Sequence, residues 1–376
     1  MSAAARFALF LGIVLLVWTG MHAYVLTRLW SLPWVAQHFP RSLRWPLVVL
    51  LWLSYPAARF LAHAAGPRLS FPVEFFGAVW MGVLFLGVAS FFAADVATGF
   101  GKLAPALVTP VRTAAAVLTA LLSVAALAQW QRGPRVVRYD VAIPGLASEQ
   151  DGLLVVQLTD LHLGSLLGER WISRRVDEVA ALKPDLIVVT GDLVDGETAT
   201  VKPLVPILRR LHAPLGVWGV TGNHEFYAGL AQSAALHSDA GIRLLRDGWA
   251  VLAPGLVLAG VDDLSARRQL GLNGDPVRKA LEGRPAGTTI FLSHSPLRAK
   301  EAAALGANLM ISGHTHGGQI WPFGFAVAIP YPYLAGRFEV DGLTLLVSRG
   351  TGTWGPPMRL FGRSEILAVT LRRARP

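Results

Sequence analysis

Carboxylates, imidazoles and one carboxamide gather in five short blocks of this 376-residue chain. Asp160 and His162 stand in LTDLHLG, Asp192 in VVTGDLVDG, and Asn223, His224 and Glu225 in VTGNHEFY. His294 stands in FLSHSP, and His314 and His316 in ISGHTHGG. The chain has no cysteine, so thiolate catalysis and thiolate metal sites are excluded. What is left is a nitrogen and oxygen donor set, which suits divalent ions of intermediate softness such as Mn, Fe, Zn or Co. There are more donors than one ion needs, and a carboxylate has two oxygens, so seven residues can hold two ions around a shared aspartate. A single D-x-H or G-D means nothing. The signal is the conjunction: five of the ten histidines fall in these ordered blocks.

Such residues must be aimed at one place. Each block follows an apolar run that reads as a strand: Leu153–Leu158, Leu186–Val189, Val217–Val220, Thr289–Leu292 and Leu309–Ile311. Leu256–Val261 and Leu343–Val347 read as two more strands. Helical patterns lie between several of them, over Glu169–Leu182, Val201–Leu211, Leu230–Ala240 and Leu297–Leu305. This alternation predicts a layered α/β domain over 151–376, preceded by a linker and leading strand over 131–150. In such sheets the carboxyl ends of the strands aim loop side chains into one crevice, where ligands bind. Asp185 and Asp195 read as helix or turn caps, and Asp262 and Asp263 as turn or supporting residues. The remaining histidines, His22, His38, His63, His212 and His237, read as interfacial, core or surface residues.

Residues 1–130 are of another kind. They hold eight Lys/Arg and two acids, whereas the remaining 246 hold 26 and 22. The overall 53% hydrophobic and 15% charged content is therefore an average over two unlike parts. Uncharged runs at 7–27, 75–94 and 113–131, the last within a helix expected over about 110–131, are long enough to cross a hydrocarbon core of about 30 Å. A shorter run with Pro46 and Pro56 crosses only if it extends over 45–64, so the expectation is about four membrane helices. Four crossings put both termini on one side, and the arginine count then favours a cytoplasmic C-terminal domain in a multi-pass protein of the cell (inner) membrane. Trp30, Trp34, Trp45 and Trp130 near the helix ends fit either an interfacial belt or simple packing. The net charge of +10 owes six to the flanks of these helices, so nucleic acid is not expected as a main partner. No residue pattern specifies an oligomer.

In their order, D-x-H, G-D, G-N-H-E, a lone histidine after a strand, and G-H-x-H resemble the calcineurin-like metallophosphoesterase superfamily. GHTHGGQ, a following aromatic stretch and SRGTG resemble its membrane-associated bacterial branch. The resemblance implies a four-layer α/β/β/α sandwich with two divalent metal ions as cofactors. One would be held by Asp160, His162, Asp192 and His316, the other by Asp192, Asn223, His294 and His314. It implies that His224 binds no metal and faces the scissile phosphate. The implied reaction is hydrolysis of a phosphoester or pyrophosphate by metal-activated water. One kind of branch member is a UDP-diacylglucosamine pyrophosphatase, which makes a lipid-linked substrate the first reading. A phosphodiesterase on soluble nucleotides with the helices as a tether is the second, and a membrane sensor or transporter with a regulatory phosphoesterase-like domain the third.

Three further residues are candidate substrate contacts. Arg349 has a geometry suited to phosphate, with a structural role as the alternative. Trp321 and Phe323 belong to Gly317–Gly336, 20 residues without a charge. Its prolines argue against a continuous helix. It reads either as a loop buried under a sheet or as a flap facing the bilayer that guides a lipid-bearing substrate.

Overall fold

The computed structural model describes residues 3–65 and 67–374. They fall into two compact units, one of residues 1–131 with Gly355–Leu360 and one of Arg132–Trp354 with the segment from Phe361 onward.

The first unit is helical: α1 (Ala3–Trp30), α2 (Pro33–His38), α3 (Arg41–Ala65), α4 (Pro67–Ala97) and α5 (Val108–Gln131). Three helical stretches are long and apolar enough to cross a membrane: Leu11–Trp30, Ser70–Ala97 and Pro105–Gln131. This corrects the expected count of four. The helix over 45–64 does form, but Arg41, Arg44, Arg59 and two internal prolines leave α3 less apolar than the rest. Trp52 of α3 meets α1 through two bonds, Trp18 Nε1 to its carbonyl (3.0 Å) and its own Nε1 to Thr19 Oγ1 (3.0 Å). Trp80 Nε1 of α4 lies 2.9 Å from His22 Nε2 of α1, and Arg28 Nε bonds Asp95 at 3.0 Å. Both α1 and α4 thus ascend in the same direction, and α3 runs back between them. Buried Asp95 is also met by Tyr24 Oη (2.7 Å) and Arg112 Nη2 (2.7 Å), which ties α1, α4 and α5 at one end. A carboxylate out of water is tolerated only with such partners.

The second unit holds twelve described strands in two six-stranded sheets. The first has the order β1 (Arg135–Ile143), β12 (Glu365–Arg373), β2 (Leu154–Leu158), β3 (Leu186–Thr190), β4 (Val217–Val220) and β5 (Arg243–Leu244). The second runs β10 (Gly336–Val340), β11 (Leu343–Val347), β9 (Leu309–Ser312), β8 (Thr288–Leu292), β7 (Leu256–Gly260) and β6 (Gly248–Ala253). Period-two alternation divides the apolar residues between layers. Val155, Leu186, Val188, Ile290, Leu292 and Ile311 pack between the sheets. Val156, Ile187 and Val189 face outward onto Ile172, Val176 and Val179 of α6 (Glu169–Ala181). Phe291 and Met310 face the opposite outer layer, against Val277, Leu281 and Ala302. The result is the four-layer α/β/β/α sandwich.

All seven expected strands form. Strands β5, β6, β10 and β12 were not foreseen: β6 and β10 are half-exposed edges, and β12 ends in charged residues. The helix expected over Val201–Leu211 is broken into short turns, because Pro203 and Pro206 each remove a backbone donor.

Candidate metal centre

Strands β2, β3 and β4 are parallel in one sheet, and β7, β8 and β9 in the other. Their carboxyl ends therefore lie at common edges, and the chemistry-bearing blocks follow those ends. The loops turn sharply there. Asp160, His162, Asp192, His314 and His316 all have left-handed backbone, with φ of 52°, 44°, 53°, 72° and 50°. They are five of the twelve non-glycine residues with positive φ among the described residues. Each such residue costs on the order of 1–3 kcal/mol and persists only where its surroundings over-determine it. Gly191 (φ 87°) has no room for a side chain, since a Cβ would come 2.6 Å from the Gly222 nitrogen and 2.7 Å from His294 Nδ1.

Eight side chains converge. Three sets of donor atoms lie within 4.8 Å of one another: Asp160, His162 and His316; His162, Asp192 and His224; Asp192, His294 and His314. Each set shares a residue with the next, and Asp192 belongs to two. His294 Nε2 is 3.2 Å from both Asp192 Oδ2 and Asn223 Oδ1, so Asn223 joins the last set. Nδ1 of His294 donates to the Thr190 carbonyl (2.8 Å), which fixes the tautomer that turns Nε2 inward. Two pairs of imidazole nitrogens face each other: His162 Nε2 and His316 Nε2 at 3.1 Å, and His314 Nδ1 and His294 Nε2 at 3.1 Å. Facing lone pairs repel unless a proton or cation lies between them, so the donor set fits metal ions.

The electrostatics divide the imidazoles: burial keeps two rings neutral, whereas for His294 Asp192 outweighs burial and holds the ring well above its usual value. Burial pushes His162 down to about 3, aided by the charge of His224, and pushes His314 down to about 4, aided by that of His294. Both rings are therefore held neutral, the form in which an imidazole can bind a metal. Burial also lifts Asp160 to about 6. For Asp192 burial acts in the same sense, but His294 and His224 outweigh it and hold the carboxyl well below its usual range. His224 is buried, yet Asp192 and Asp195 overcome that cost and raise it to about 9.

Supporting residues complete the arrangement. The Glu225 carboxylate is buried and binds backbone instead of a cation. It accepts from the N–H groups of Asp192 (2.9 Å), Leu193 (2.8 Å), Val194 (3.4 Å) and Gly222 (2.6 Å), clamping two loops together. Asp195 is more than a cap, as its Oδ1 lies 3.4 Å from His224 Nδ1. Its position three residues after Asp192, on the same turn, is the signal that sequence reading passed over. Asp263 caps the helix Leu264–Leu270 and also accepts from Ser295 Oγ (2.8 Å), beside His294. Asp262 pairs with Arg246 (2.9 Å). Tyr331 also escaped sequence reading: its Oη lies 2.7 Å from His314 Nε2.

Comparison with known proteins gives this geometry a family. The calcineurin-like phosphoesterase family matches residues 153–318. The chain is 32% identical over 261 residues to an uncharacterized metallophosphoesterase of Campylobacter jejuni, covering 68% of each. The chain belongs to the calcineurin-like metallophosphoesterases. It is also 36% identical over 282 residues to a bovine "transmembrane protein with metallophosphoesterase domain", covering 69% of this chain. The match spans 62% of that relative's length. Among solved structures, a 5'-nucleotidase precursor from Thermus thermophilus aligns over 58% of this chain and 54% of its own, at 18% identity and a TM-score of 0.36.

Three expected substrate contacts lie differently within this metallophosphoesterase. Arg349 Nη1 is 3.5 Å from the buried carboxylate of Glu365, which also accepts the Arg349 N–H (2.8 Å), while its side chain stays partly exposed. Trp321 and Phe323 are about half exposed. Most of 321–330 is exposed as well, which rules out a loop buried under the sheet.

Proposed function

We propose that this chain is a membrane-anchored, dinuclear metal-dependent phosphoesterase that hydrolyses a phosphoester or pyrophosphate bond of a lipid-linked substrate, such as a nucleotide-activated lipid. The observation that carries the reading is the chain of donor sets hinged on Asp192. Asp160, His162, Asp192 and His316 would hold one ion, and Asp192, Asn223, His294 and His314 the other. When bound, such ions supply Lewis acidity and a water acidic enough to act as hydroxide near neutral pH.

The protein's own residues do the rest. Asp195 on Nδ1 of His224 orients that ring and favours its charged form, leaving the other ring nitrogen to give a proton to the departing oxygen. Glu225 and the left-handed turns hold the donors in place before substrate arrives, which spares reorganisation during reaction. Three apolar helices and the name of the bovine relative support a membrane-resident enzyme, for which a substrate drawn from the bilayer lies within reach. We place the metal-binding unit on the cytoplasmic face of a multi-pass protein, on the strength of Arg132, Arg135 and Arg138 beside the last helix.

The test is a metal-dependent activity screen of the full-length protein on lipid and soluble phosphoesters, with Asp192→Asn as control. Asp192→Asn should lose bound metal and turnover together, and the lipid phosphoester should show the higher kcat/KM. Equal or better turnover of soluble nucleotides would sink the lipid assignment, and metal-independent turnover would sink the mechanism.

A further inference from the structure

We propose that residues 321–330 are a lipid-surface contact, a short apolar blade that seats the metal-binding unit against a bilayer. This rests on the reading above only in requiring that the apolar helices lie in a membrane.

The first observation is exposure. Trp321 (49%), Phe323 (45%), Phe325 (72%) and Ile329 (84%) stand in solvent on one ten-residue segment. Phe361 (72%) extends the patch, its ring 6.0 Å from that of Trp321. One such side chain on a surface means nothing, but a cluster of this size marks an interaction site.

The second observation selects the occupant. The segment WPFGFAVAIP carries no charge, and its single polar side-chain group is the Trp321 indole N–H. Protein interfaces carry about one hydrogen bond per 100–200 Å² and a polar rim, and this segment has almost nothing to offer them. A lipid surface asks for no hydrogen bonds, provided the backbone satisfies its own. Much of it does so here: the N–H groups of Phe323, Phe325, Ala326, Val327, Ala328 and Ile329 bond to carbonyls of Ile320, Pro322, Phe323, Gly324 and Ala326. Pro322 and Pro330 have no N–H to satisfy. A tryptophan at one end and aliphatic and phenylalanine side chains beyond it suit the boundary between headgroups and acyl chains.

The third observation is anchorage. The Gln319 side chain bonds both the carbonyl and the N–H of Trp354 (2.8 and 3.1 Å) before the blade, and buried Tyr331 meets His314 after it. The blade is thus fixed at both ends beside the donor loops, and lipid held against it lies near the metal centre.

The absence of native cysteine gives a clean probe. Full-length Phe325→Cys, labelled with an environment-sensitive dye and reconstituted in phosphatidylethanolamine/phosphatidylglycerol nanodiscs, should be quenched by doxyl-labelled lipid and shielded from aqueous iodide. Lys300→Cys, on an exposed site of the same unit, should show the reverse, and Ile329→Cys should repeat the Phe325→Cys result. Iodide quenching at 325 equal to that at 300, with no effect of doxyl lipid, overturns the proposal. So does disulfide cross-linking between copies through Cys at 325, which makes a second copy the occupant. The readout needs no turnover, so it stands or falls apart from the substrate assignment.

Discussion

Tyr331 Oη sits on Nε2 of His314, so Nδ1 of that ring is the nitrogen presented to His294 and the one that would face the metal proposed there. Partners of this kind orient a ligand and set its tautomer, and losing one costs roughly 10–100-fold in metal affinity. Tyr331→Phe keeps the ring and removes the hydroxyl. Calorimetric metal titration should show weakening of one site by that factor, with the other unchanged and activity restored by excess metal. Wild-type affinity at both sites would refute the role. Glu225 acts on backbone instead: Glu225→Ala would strand four buried N–H groups, each left without a partner. The expected cost is at least about 4 kcal/mol, since each unsatisfied buried group costs about 1–3 kcal/mol. Thermal unfolding of the metal-free protein should show it, which separates this residue from a ligand.

At the scale of elements, the site is a product of strand ends and tight turns. The centre of the fold was legible because strands buried on both faces read as unbroken apolar runs, as LIVV over 186–189 does, and because each run stops at a block of donors. The edge strands were not, since half-exposed pairs such as β6 and β10 mix polar and apolar residues without a firm period. The donors themselves were readable from residue type and order. Their supports were not: Tyr331 lies 17 residues from His314 and reaches it only through the fold. Gly222 shows how closely the turns are built, because a Cβ there would collide with the carboxylate and backbone nitrogen of Asp192. Gly222→Ala is therefore expected to displace Asp192 and abolish metal binding, while far-ultraviolet circular dichroism stays close to wild type. Retention of two bound ions in this variant would show that the loop yields more than its packing implies.

Across the whole molecule, composition singles out three apolar helices, and side-chain contacts set the relative direction of two of them. Sequence could not decide on α3, whose arginines and prolines blur the hydropathy signal. The packing of α1 on α4 bears on it directly. Trp80 meets His22 and Asp95 meets Arg28, so the two helices point the same way, and residues 31–40 and 98–107 lie at the same end of the helical unit. Within the helical unit α3, 25 residues long, runs opposite to both of them. Single cysteines in the cysteine-free chain test this by labelling with a membrane-impermeant maleimide from either side of sealed vesicles. Gln37→Cys and Lys102→Cys should react from one side and Lys300→Cys from the other. If Gln37→Cys instead reacts together with Lys300→Cys, the parallel packing of α1 on α4 does not hold in the membrane.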